Sequence, residues 1–162
     1  MADAVSDRIV VRADPDRVLE VISDFESYPA WQDEIREVEV LETDEDGWGT
    51  RVRLVVDARL FRTTMVLAYS YTATSMRWEL VEGDQVRRND GRYDLTDLGD
   101  GTTAVEYRLE IEPAVPVPVP LRRRAARRIV EGALAGMKRR VEVGGEAAGH
   151  ASGRPSRPPG IR

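Results

Sequence analysis

Few side chains in this sequence are equipped for chemistry. Of its 162 residues none is cysteine and one is histidine, His150, set in a stretch rich in glycine, serine and proline. Thiolate catalysis, disulfides and cysteine-based metal sites are thereby excluded. A Ser-His-Asp triad or a multi-histidine zinc site requires that stretch to fold back onto the rest of the chain. What remains is a set of tyrosines, Tyr69, Tyr71, Tyr93 and Tyr107, together with Trp78 and Asn89. A buried phenol supplies an aromatic wall and one hydroxyl, and a carboxamide supplies both donors and an acceptor. Such groups can orient a carbonyl or hydroxyl of an apolar ligand, or assist proton transfer within it. Each also has a plain structural use, the tyrosines as core residues and Asn89 as a backbone partner beside Gly91. Asp44-x-Asp46-Gly47 starts like a calcium loop but lacks the later acids, so it reads as a turn. Gly47-x-Gly49 has no third glycine and no following helix, so no dinucleotide site is implied. No metal and no cofactor follow from the motifs.

The elements that must position these groups are legible from periodicity. Asp14 and Pro15 begin a short helix carrying Val18, Val21, Ile22 and Phe25, and Ser27 to Trp31 interrupts it with a turn around Pro29. The period then becomes two. Val38 and Val40 alternate with Glu37 and Glu39, and Val52, Leu54 and Val56 with Arg51, Arg53 and Asp57; Met65, Leu67, Tyr69 and Tyr71 follow, then Met76, Trp78 and Leu80, then Tyr93 and Leu95. Val105, Tyr107, Leu109 and Ile111 complete the series. Counting back by two from Tyr93 places Asn89 on the apolar face, where an amide needs partners. Asp46-Gly47, Gly83-Asp84 and Asp100-Gly101 separate the runs as hairpin turns, which makes neighbouring strands antiparallel. With an opening strand at Ile9 to Arg12, the spacing predicts seven strands. Alternating prolines from Pro113 to Pro120 form a stiff connector, and Leu121 to Val143 is a long helix with Ile129, Val130, Ala133, Leu134, Met137 and Val141 on one stripe. That helix is the element able to cover the apolar face of a curved antiparallel sheet. The fold class is α+β. Residues 1–143 form one domain, and the composition of 144–162 predicts a disordered tail.

Several stretches resemble the START-like helix-grip superfamily (SRPBCC), in its polyketide cyclase/dehydrase and lipid-transport branch that includes coenzyme-Q-binding relatives. They are Ala13 to Val18, the Asp24-Phe25-Glu26-Ser27-Tyr28-Pro29-Ala30-Trp31 segment, Gly91 to Leu95, the Gly99 to Thr103 hairpin and Ala133 to Val141. The resemblance implies a seven-stranded sheet gripping the C-terminal helix, with an apolar ligand held between them. The residues expected to contact that ligand are Trp31, Leu54, Met65, Leu67, Tyr69, Trp78, Asn89, Tyr93, Tyr107, Ala133 and Met137. Gly132 and Gly136 share a helix face, where small residues serve either close packing or an open cavity. The superfamily spans carriers and enzymes. A carrier for a polyketide, isoprenoid or lipid-like molecule is the first expectation, and an aromatase/cyclase or dehydratase using the same cavity is the alternative.

Charge adds a third possibility. Residues 1–112 hold 26 acids and 13 bases, whereas 113–162 hold 3 acids and 11 bases. Arg122, Arg123, Arg124, Arg127 and Arg128 are the densest part of that basic end, suited either to peripheral contact with an anionic membrane or to a solvated face balanced by the acidic body. Nucleic acid is disfavoured because the sheet is acidic overall. No apolar run approaches the roughly 20 residues of a membrane span, and the first residues lack a signal-peptide pattern, which predicts a cytoplasmic soluble protein.

Overall fold

A computed structural model of the protein describes residues 3–57 and 62–147. His150 and residues 148–162 of the expected tail lie outside the described residues. The chain enters through β1 (Asp3–Val11) and then turns at Asp14, whose carboxylate accepts the Arg17 amide at 2.9 Å and so caps α1 (Pro15–Ile22). Proline at the first helical position gives up an amide that has no partner there in any case. One face of α1 buries Val18, Leu19, Val21 and Ile22. A 3-10 turn, Phe25–Ala30, contains Pro29 and brings Phe25 and Tyr28 into the core.

Six strands follow: β2 (Ile35–Thr43), β3 (Gly49–Asp57), β4 (Arg62–Thr72), β5 (Ser75–Gly83), β6 (Val86–Asp97) and β7 (Thr103–Pro113). All pairings are antiparallel, and the sheet order is β1-β7-β6-β5-β4-β3-β2. The first strand therefore sits beside the last, and the two helical turns after β1 carry the chain to the opposite edge. β1 is longer than its alternation suggests because Asp7, at an inward parity, breaks the pattern while the backbone still pairs with β7 from Asp3 to Val11. The turn at Asp44 is a local device: its carboxylate accepts the amides of Asp46 (2.9 Å) and Trp48 (3.0 Å), and Gly47 takes φ +87°, where a side chain is strained.

The long helix α2 (Val119–Ala147) begins two residues earlier than its apolar stripe indicates. Val119 and Pro120 belong to it because proline is tolerated in a first turn, and the Pro118 carbonyl accepts the amides of Leu121 and Arg122 at 3.0 Å. The helix also continues past Val143 to Ala147. Ala126, Val130, Ala133, Leu134, Met137 and Val141 are buried against the sheet. Polar bonds fix the helix at the β1 edge: Lys138 donates to the Val10 carbonyl at 3.0 Å, and Glu142 accepts the Arg12 amide at 2.9 Å. Among the described residues no helix is long and apolar enough to cross a membrane.

Candidate functional site

The inward face of β4 to β7 carries an aromatic row. Trp78 on β5 stands at the centre, with ring centroids 5.7 Å from Tyr69, 5.7 Å from Tyr93 and 5.6 Å from Tyr107, while Tyr93 and Tyr107 are 4.6 Å apart. Its position depends on Gly91, the residue opposite it on β6. A Cβ there would stand 2.2 Å from Trp78 Cζ2, so the indole lies over bare backbone. From this position the indole N–H donates to Asn89 Oδ1 at 3.1 Å, and the Asn89 amide donates to Met65 Sδ at 3.3 Å. A thioether is a weak acceptor, so this buried carboxamide keeps unused hydrogen-bonding capacity.

These groups surround a cavity of about 70 Å3 between the sheet and α2. Leu54, Met65, Leu67, Tyr69, Trp78, Asn89, Tyr93 and Tyr107 all line it. Trp31, Ala133 and Met137, expected on the same surface, do not. Trp31 is buried in the turn that closes the other end, its ring centroid 5.0 Å from Tyr28 and its Nε1 buried without an acceptor among the described residues. Its carbonyl lies so close to α2 that a Cβ on Gly136 would approach to 2.1 Å. That contact consumes the space that small helix residues could otherwise leave, and Ala133 and Met137 pack in the filled part of the core. Gly132 faces open solvent space and contributes to neither use.

Other lining residues were accessible to parity alone: Val56 beside Leu54, and Leu109 and Ile111 beside Tyr107. Tyr28, Gln32 and Glu34 line the cavity because the 3-10 turn folds back across it, which no periodicity announces. Thr63 is buried there too, with its hydroxyl donating to Asp84 Oδ1 at 2.8 Å.

Burial pushes the phenols of Tyr28, Tyr69 and Tyr93 well above their ordinary range, with further upward shifts from neighbouring tyrosines, and burial also raises Tyr107. They remain neutral near pH 7. Tyr28 donates its hydroxyl to the Ile22 carbonyl, and Tyr71, outside the cavity, to that of Gly49. Among the described residues no protein hydrogen bond engages the hydroxyls of Tyr69, Tyr93 and Tyr107. Glu34 is the carboxylate lining the cavity, half-buried, with its oxygen 4.0 Å from Arg128 on α2. Hydroxyls, the amides of Asn89 and Gln32 and the Glu34 carboxylate together can align a carbonyl or hydroxyl.

The five arginines at the start of α2 do not form one surface. Arg123, Arg124 and Arg127 border a shallow cleft with Ala4 and Val5 of β1, Arg128 reaches Glu34, and Arg122 lies under the proline connector. Helical geometry separates them: residues 123, 124 and 127 fall within one sector, and 122 lies on another.

A family model described as polyketide cyclase / dehydrase and lipid transport matches residues 2–142. The fold is similar to a START superfamily protein from Mycobacterium smegmatis (28% identity, 85% of this chain and 96% of that one, TM-score 0.79). It is also similar to the Zhui aromatase/cyclase from Streptomyces sp. R1128 (19% identity, 94% and 99% covered, TM-score 0.73). A STAR-related lipid transfer protein from Xanthomonas axonopodis shares 16% identity over 85% of each chain, with a TM-score of 0.69. Among curated proteins none matches the sequence.

Proposed function

The chain belongs to the polyketide cyclase/dehydrase and lipid transport family, and on that premise we propose that it is a carrier which binds, without transforming, a hydrophobic molecule bearing a carbonyl or hydroxyl. A polyketide, an isoprenoid quinone or a lipid-like molecule has this chemistry. The observation that carries the proposal is the set of three tyrosines, Tyr69, Tyr93 and Tyr107, that line a largely apolar cavity with no hydrogen bond from their hydroxyls to the described residues. A phenol hydroxyl open to the cavity can donate to, or accept from, a ligand oxygen there. Asn89, held in place by Trp78, is a second polar anchor.

Catalysis fits less well. A general base works best with a pKa near the operating pH, and burial moves every phenol here further from it. The cyclase reading draws on the same hydroxyls, which could polarise a poly-β-ketone. The arginine-rich start of α2 is a candidate for transient contact with an anionic membrane during exchange, each basic residue near the surface contributing roughly 1 kcal/mol. Replacing Arg123, Arg124 and Arg127 by Gln should then abolish co-sedimentation with anionic vesicles.

Native mass spectrometry of the protein purified from its own host tests the carrier directly. The expected result is one apolar molecule per chain, recovered unchanged after incubation. Conversion of the released molecule by fresh protein would replace the carrier with the enzyme. An empty protein that also rejects fluorescent apolar probes would overturn both.

A further inference from the structure

A second apolar chamber lies beside the first. It measures about 60 Å3 and is enclosed by the connector residues Pro113, Val115 and Val117, by Ala125 and Ala126 of α2, and by Ile111 and Ile129, with Gln85 and Arg122 also lining it. Ile111 and Ile129 line the aromatic cavity as well. The two spaces thus share two aliphatic walls, one on β7 and one on α2. Ile111 is also the cross-strand partner of Asn89, so the polar anchor of the first chamber adjoins a shared wall.

The connector makes this chamber a formed space. Its prolines hold an extended path without internal hydrogen bonds, and Pro113, Val115 and Val117 along it line the chamber. It is tied at one end where the Ala114 amide donates to the Gln85 carbonyl at 2.9 Å, and at the other where Pro118 accepts the first amides of α2. Small residues at Ala125 and Ala126 leave the opposite wall recessed. Neither chamber approaches the roughly 300 Å3 at which small-molecule sites usually begin. A ligand larger than a few atoms must displace side chains, and the shared walls are two isoleucines with no hydrogen bond to break.

We propose that the chamber under the proline connector is a second subsite of the same ligand, reached between Ile111 and Ile129, and that it takes a linear aliphatic tail whose oxygen-bearing head lies among the tyrosines and Asn89. The proposal rests on the binding reading above and narrows its ligand class to a polar head with an extended alkyl or isoprenyl chain.

The test uses 4-alkylphenols of increasing chain length, with binding followed by tryptophan fluorescence. In the unaltered protein affinity should rise by about fourfold per methylene, the increment expected for burying a CH2, and should continue through octyl. Ala126→Leu fills the chamber from α2. It should leave 4-ethylphenol within twofold and weaken 4-octylphenol at least tenfold. Ala125→Leu, at a half-buried position, gives the same comparison if Ala126→Leu fails to fold. Short phenols that bind with no gain from chain length would overturn the second subsite and leave the aromatic cavity standing. The same holds if octylphenol binds both variants as tightly as the unaltered protein. Failure of every phenol to bind would overturn the subsite together with the cavity reading.

Discussion

The two ends of the space between sheet and α2 use the same aromatic residue types to opposite effect. Toward one end, Phe25 lies tilted 5.3 Å from Tyr28, itself a lining residue of the cavity, Trp48 lies 4.6 Å from Tyr71, and the hydroxyls of Tyr28 and Tyr71 are bonded to backbone carbonyls. Gly49 and Gly136 remove the last spacing there: a Cβ on Gly49 would meet the Phe25 ring at 2.9 Å. At the other end, Tyr69, Tyr93 and Tyr107 are as well buried as Tyr71, but their hydroxyls surround a void. These buried tyrosines thus differ in what the hydroxyl reaches, a backbone carbonyl or the cavity. Exposure alone does not distinguish them.

Glycine substitutions should break this contrast most strongly. Gly136→Ala drives a methyl against the Trp31 carbonyl, which is backbone and cannot rotate away. It should cost about 3 kcal/mol in urea unfolding, at the upper end of ordinary overpacking. Gly91→Ala meets only a side chain. It should cost about 1–2 kcal/mol, displace Trp78 from Asn89 and shift tryptophan emission. Gly132→Ala, with nothing within 4 Å, is the control. Relief of a helical glycine should stabilise it by about 0.5–1 kcal/mol.

Removing single hydroxyls should sharpen the same contrast on a smaller scale. Tyr71→Phe strands the buried Gly49 carbonyl and should cost about 1–3 kcal/mol. Tyr93→Phe removes a hydroxyl with no protein partner. It should change stability by less than about 0.5 kcal/mol, while weakening binding of an oxygen-bearing probe about fivefold, the worth of one hydrogen bond. Equal losses of stability in the two variants would erase the distinction between the ends.

The smallest effect expected is electrostatic and lies outside both ends. Glu142 has its carboxyl held below the usual range, first by the hydrogen bond from Lys138 and then by the Arg12 amide and the charges of both residues. Because the folded-state value is depressed, the stabilisation is complete above the unfolded glutamate pKa of about 4.3 and is lost as pH falls through the lower folded value. Glu142→Gln should therefore cost about 0.5–1 kcal/mol at pH 7, with solvent screening limiting the size. The difference from the unaltered protein should close in acid below about pH 4.

Much of this architecture is written locally. Asp14 and Pro15 start α1 because a carboxylate can cap three residues ahead and proline suits that position. Period-two alternation put Tyr69, Trp78, Tyr93 and Tyr107 on one face, and the count from Tyr93 placed Asn89 there as well. Trp31, Ala133 and Met137 are equally apolar and buried, yet none of them lines the cavity. Inward residues divide between a filled region and an empty one, and a one-dimensional pattern carries no volume. Likewise, Tyr28, Gln32 and Glu34 reach the cavity through a backbone reversal around Pro29, whose direction is set by packing against α2.

By itself, then, the sequence determined the order and type of the elements, the antiparallel pairing, the inward parity and the class of chemistry available, since these follow from caps, turns and side-chain period. Tertiary structure alone decided that Trp78 lies over Gly91 and presents its N–H to Asn89, that Gly136 seals one end against Trp31, and that Ile111 and Ile129 line both chambers. The physical reason is that close approach and leftover space are sums over residues far apart in the chain, so they exist only when the sheet and helix are brought together.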